Sequence, residues 1–177
     1  IFNSDKELVQ AHLTSVISIL RKNSVSHLSN EQIKTRLNLI ETLNQYKTTG
    51  KFPQNYYKEE RIPVFIDEHK THCAVGYLLQ QSGYENIATR IADNNNYVWV
   101  KDIKDKELLK WQKYSGFTLE ELKLIQGAYD YYMPNAFTLP NKHEVPQKPA
   151  CMVSYFDKSK KIWCKGEGKN GVLNGLW

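Results

Sequence analysis

Ahead of three apolar-periodic stretches of this chain, a serine or threonine is followed, three residues later, by glutamate or glutamine: Ser4 with Glu7, Ser29 with Gln32, and Thr118 with Glu121. Each pair reads as a capping box. The hydroxyl takes an orphan amide of the first helical turn, and the longer side chain reaches back to the cap residue's own N–H. Apolar residues recur at helical spacing behind each box. Leu8, Val9, Leu13, Val16, Ile17 and Leu20 predict a helix from about Asp5 to about Lys22. Leu28 and Ile33 stand where a hydrophobic staple needs them, and Ile33, Leu37, Ile40, Leu43 and Tyr46 carry one apolar face to a stop at Gly50. These two helices should form an antiparallel hairpin. Phe117 and Leu122 staple the third start, whose helix should run through Leu124 and Ile125 to about Tyr129.

Between these helices the pattern shortens. Ala74 to Gln81 predicts a buried helix closed by Gly83, and Ile87, Ala88, Ile91 and Ala92 a following one that Asn94, Asn95 and Asn96 end. Asp105 should cap a helix carrying Leu108, Leu109 and Trp111 to Gly116. Val64-Phe65-Ile66, introduced by Pro63, and Tyr97-Val98-Trp99-Val100 read as short strands on either side of the central helix. Residues 51–61 are aromatic and polar; Tyr56 and Tyr57 either line a groove or pack a loop down. Pro134, Pro140, Pro146 and Pro149 mark a linker. Beyond it, Cys151–Phe156 and Lys161–Cys164 flank Asp157–Lys160 in a hairpin pattern. The expected fold class is therefore mainly α. A compact multi-helix domain with short strands occupies 1–133, a Pro-rich linker 134–149, and a small antiparallel β-hairpin appendage 150–177.

Composition narrows the class. In 177 residues, a hydrophobic share of 41% and a charged share of 24% are those of a globular chain with one good core. No apolar run approaches the roughly 20 residues of a membrane helix. The net charge of +5 comes with scattered lysines, which reads as a solvated surface and gives no specific nucleic-acid signal. The chain begins at Ile1, so a targeting segment removed from an exported protein, or a trimmed end, is expected. That points to a secreted or periplasmic location. Three cysteines make no disulfide framework; Cys151 and Cys164 could pair, leaving Cys73.

Reactive residue types concentrate in one place. Arg61–Leu79 packs Asp67, Glu68, His69, His72 and Cys73 into seven residues at the start of the central helix. With Thr71 as a candidate N-cap, Cys73 would feel the positive end of the helix dipole and become a thiolate. His69, His72 or the distant His143 would act as base, and Asp67 or one of Asn94–Asn96 would orient it. A second reading takes Asp67, His69, His72 and Cys73 as ligands of a divalent metal such as zinc, with His143-Glu144 in support, although their spacing matches no standard zinc motif. In a third, Cys73 is core packing. Asn95 and Asn96 either bind a ligand through their amides or close a helix, and Glu120-Glu121 with Glu68 or Asp67 form at best a weak glycosidase pair. No phosphate-binding glycine loop, dinucleotide fingerprint or serine elbow is present.

Two resemblances add to this. GKNGVLNGLW at residues 168–177 resembles the opening of a MORN-type repeat, in which glycine-turned hairpins stack into a ribbon; it covers about the last 25 residues. That resemblance implies a chain continuing past Trp177. RIPVFID, CAVGYLL and SG in the central phrase resemble uncharacterised bacterial proteins, often exported, which imply no activity. The expected function is an extracytoplasmic binding or interaction protein with a protein or peptide partner. The alternatives are a Cys-His thiol hydrolase or transferase centred on Cys73, and a metal-binding protein.

Overall fold

The computed structural model describes residues 4–130 and, beyond them, the backbone of residues 151–156, 162–169 and 172–174. The chain divides into two compact units, residues 1–132 and 133–177. The first is helical: α1 (Asp5–Lys22), α2 (Asn30–Thr49), α3 (Ala74–Gln81), α4 (Glu85–Asn95), α5 (Lys106–Ser115) and α6 (Leu119–Ile125). Most of the caps work as read. Ser4 Oγ accepts the Glu7 N–H, and both halves of the box form at Ser29/Gln32 and at Thr118/Glu121. Asp105 accepts from Glu107 and Leu108, and Gly50 and Gly116 stop their helices in the left-handed region at φ +62° and +71°.

Helices α1 and α2 run antiparallel. Gln10 reaches the Lys47 carbonyl near one end, and Arg36 reaches the Leu20 carbonyl near the other. Their facing rows include Leu13, Val16 and Leu20 on α1 and Leu39, Ile40, Leu43 and Tyr46 on α2. Leu37 is not among them; it is 58% exposed, because the buried stripe passes through Arg36, one residue aside. Leu109 is likewise 55% exposed on α5, where Leu108 and Trp111 are the inward residues. Helix α3 is short and apolar up to its two closing glutamines; it buries Ala74, Val75, Gly76, Leu78 and Leu79, while Tyr77 and Gln80 are half-buried and Gln81 is exposed. It packs against α2, α4 and α6, with Val75, Leu78 and Leu79 fully inaccessible. Trp111 closes this core and satisfies its indole N–H on Ser82 Oγ at 2.8 Å.

Neither expected strand forms in this unit. Val64–Ile66 bends at Phe65, and its hydrogen bonds go sideways: the Phe65 N–H to the Asn96 carbonyl, and the Cys73 N–H to the Phe65 carbonyl. Strand pairing among the described residues here takes the form of isolated bridges, such as Ile62 with Tyr129 and Ile66 with His72. Tyr97–Val100 turns instead into a 3-10 segment, Val100–Asp102. The buried side chain of Gln126 replaces the missing neighbour strand, accepting the Val100 N–H and donating to the Val98 carbonyl. Holding that amide in place also ends α6 at Ile125, four residues short of Tyr129. Among the described residues no helix is long and apolar enough to cross a membrane.

In the second unit, β1 (Cys151–Phe156), β2 (Ile162–Lys169) and β3 (Val172–Asn174) pair antiparallel in that order. The register sets Cys151 opposite Gly168 and Cys164 opposite Tyr155. The expected linker 134–149, with His143 and Glu144, the hairpin tip 157–161 and the closing residues 175–177 lie outside the described residues.

Candidate functional site

The polar turn before α3 is built on Asp67. One carboxylate oxygen accepts the N–H groups of His69 and Thr71 at 2.9 and 2.8 Å; the other accepts the Gln54 N–H at 3.1 Å. The turn closes through the Asp67 N–H to the Thr71 carbonyl, and Lys70 sits at φ +62°, uncommon for a residue with a Cβ. From the far side, Asn96 at the end of α4 holds both backbone groups of Ile66, at 2.9 and 2.7 Å. Gly76 lets α3 come close underneath. A Cβ there would stand 3.3 Å from the Phe65 carbonyl oxygen and 3.4 Å from the His72 side chain. Asp67 and Asn96 are therefore the frame of the site, and their polar atoms are already engaged.

What the frame holds in place is His72. Its carbonyl accepts the Tyr46 hydroxyl at 2.8 Å, and its ring is only 7% exposed. The ring nitrogen Nε2 is buried and has no partner. In the tautomer protonated at Nδ1, the neutral ring presents Nε2 as a bare acceptor. Burial holds this imidazole below the ordinary histidine pKa, against the opposing pull of Glu85 and the Lys70 carbonyl. The nearest charged atom is Glu85 Oε1 at 3.9 Å, too long for a direct hydrogen bond.

His72 forms one wall of a cleft of about 300 Å³. The turn contributes Ile66, Asp67 and Lys70; α4 contributes Glu85, Thr89, Ala92, Asp93 and Asn96. Glu85, Thr89 and Asp93 recur every fourth residue, so they share one helix face. Sequence reasoning passed over this stripe, although the spacing was there to be read. A wider groove of about 760 Å³ lies on the other side of α4, but its Arg90 is held by both oxygens of Asp105, at 2.8 and 3.0 Å.

The remaining candidates are not brought together. Cys73, not Thr71, is the N-cap of α3, its sulfur accepting the Gly76 N–H at 3.4 Å. The residue is fully buried, and burial pushes its thiol up to about 12, in spite of the helix-end amides that pull the other way. This corrects the activated-nucleophile reading: desolvation of the thiolate outweighs the dipole. His69 turns outward, 67% exposed, with its ring edge-on to Tyr56. Asp67 spends its oxygens on amides, not on an imidazole. The four-ligand metal reading of Asp67, His69, His72 and Cys73 fails for the same reason; among the described residues no group of three His, Cys, Asp or Glu side chains converges so as to hold an ion. Tyr57 is exposed and donates to Glu68 at 2.7 Å, and Asn95 closes its turn by accepting the Tyr97 N–H. Glu121 is committed to its cap and to Arg36, which removes it from any carboxylate pair.

No family model matches this chain, and neither does any curated protein or solved structure.

Proposed function

We propose that this chain is a binding protein acting outside the cytoplasm, and that its recognition site is the cleft at His72. One observation carries the reading: a buried imidazole nitrogen with no partner forms the wall of an open polar cleft. An unpaired buried acceptor costs on the order of 1–3 kcal/mol, and a ligand that supplies a donor recovers it. The site's framework is held before anything binds, since Asp67 accepts three backbone N–H groups and Asn96 accepts the Ile66 N–H and donates to the Ile66 carbonyl. Preorganisation of that kind favours binding. Chemistry at Cys73 is not part of this reading, because the thiol is sealed in the core. The repeat-like β tail, with its resemblance to a MORN-type unit, would supply a second surface for a protein or peptide partner.

The test is a small-ligand panel of cationic, neutral and anionic compounds, followed by the ring nitrogen resonances of His72 in the full chain. A member that moves those resonances in a saturable way, with the response lost in His72→Gln, is the expected result. A panel that leaves them unmoved would overturn the assignment of this cleft.

A further inference from the structure

The charge around His72 goes further than the existence of a site. We infer that the cleft takes a primary ammonium group on a short alkyl stem, held between His72 Nε2 and the Glu85 carboxylate. This inference rests on the cleft being a binding site at all.

Three features select that chemistry. First, the free groups of the cleft are mostly acceptors. Nε2 of His72 has no partner, Glu85 has one oxygen free beside the one that takes the Gln80 amide, and Asp93 makes no hydrogen bond or ion pair among the described residues. Asp67 adds a third acidic group, although its oxygens are occupied. Lys70 is the one cationic residue among those lining the cleft. A ligand that only donates suits such a wall; a carboxylate or phosphate does not.

Second, the gap has the right width. Nε2 and Glu85 Oε1 are 3.9 Å apart; this oxygen already takes the Gln80 amide and keeps a second lone pair for a donor placed in the gap. A single nitrogen placed at about 2.8 Å from each, the length of a charge-assisted hydrogen bond, spans them. It needs two N–H groups at near-tetrahedral divergence, which an ammonium has. A third N–H remains for the hydroxyl of Thr89, the next residue along the same face.

Third, the cleft is not polar throughout. Ile66 and Ala92 stand on opposite walls and offer a methylene stem apolar surface. The lysine side chain of a protein partner and a free alkylamine share this chemistry, and the test separates them.

The probes are n-butylammonium, 1-butanol, butyrate and N-acetyl-lysine N-methylamide, titrated into the full chain at about pH 8, where a histidine with a normal or lowered pKa is neutral. The readout is the His72 ring nitrogen shift. Millimolar binding of butylammonium is expected from so small a ligand. Glu85→Gln should weaken it about tenfold, because the charge-assisted bond is lost. Glu85 is 57% exposed, so this variant should fold normally. Equal binding by the lysine derivative identifies a partner's side chain as the source; binding by butylammonium alone identifies a free amine. Butanol or butyrate binding as well as butylammonium would overturn the ammonium assignment and leave the site standing. A response to none of the four would sink both, and a bridging water alone would then occupy the gap.

Discussion

Arg36 and Glu121, 85 residues apart, form a two-pronged buried ion pair, with Nη2 2.5 Å from one carboxylate oxygen and Nη1 2.7 Å from the other. The side chains are 3% and 7% exposed. Arg36 also donates to the carbonyls of Leu20 and Gly116, and lies over the Phe117 ring; Glu121 takes the Asn23 amide and the Thr118 N–H. One pair thus joins the end of α1, the middle of α2, the end of α5 and the start of α6.

Arg36→Ala should therefore cost about 3–5 kcal/mol, because it strands a buried carboxylate. The double variant Arg36→Met/Glu121→Leu should recover most of that loss. Urea unfolding midpoints of the three proteins check this. A single variant as stable as the parent would mean that the carboxylate finds water.

The acid limb of stability should have two steps. His72 is held below its unfolded value by burial, so the unfolded chain protonates first, and stability declines as pH falls below about 6.5. For Glu121, burial alone would raise the carboxyl. The Arg36, Thr118 and Asn23 hydrogen bonds outweigh it and hold the group below the ordinary glutamate value. Its contribution is present above about pH 4.3 and fades below it. Thermal midpoints measured against pH should lose the upper step in His72→Gln and keep the lower one.

Cys73 should resist iodoacetamide from about pH 5 to 9 in a Cys151→Ser/Cys164→Ser background and react only on unfolding. A native-state reaction with a midpoint below the model thiol value of about 8.5 would restore the nucleophile. The raised thiol also has a stability consequence. Its contribution holds below the unfolded thiol pKa and is lost as pH climbs from there toward about 12.

Asp67→Ala removes the acceptor of three backbone N–H groups and should cost about 3 kcal/mol. Asp67→Asn should not rescue it, since the new amide NH2 would face the Gln54 N–H. Amide exchange at Gln54, His69 and Thr71 is the direct readout; protection unchanged in Asp67→Ala would refute the role.

The helices were legible because their ends are written locally: a hydroxyl, a carboxylate three residues on, a glycine at the far end. What failed was decided at a distance. Val64–Ile66 and Tyr97–Val100 carry the right residues for strands, but the groups that take their hydrogen bonds, Asn96 and Gln126, come from other elements. The heptad-like spacing of α2 named Leu37 for a place that Arg36 fills, since a charged residue enters a core only with a partner, and Glu121 is far along the chain. The candidate site was half visible. The cluster at 67–73 was found, but the residue types there suggested reactivity, and burial reversed the order of interest. Cys73 became inert, and the buried His72 ring became one wall of a cleft. The facing wall, Glu85, Thr89 and Asp93, is a periodic polar stripe, and polar stripes on a helix ordinarily face only water.

Arg61 has a consequence of a different kind. One of its guanidinium nitrogens lies 2.7 Å from Asp5 and 2.7 Å from Asp130. Residues 5 and 130 therefore sit side by side, at the two ends of the helical unit. A polypeptide that enters at the first and departs at the second returns almost to its starting point. The unit can in consequence be spliced as a cassette into a surface loop of a host protein, or have its ends joined and new ones cut between α1 and α2, without stretching either chain.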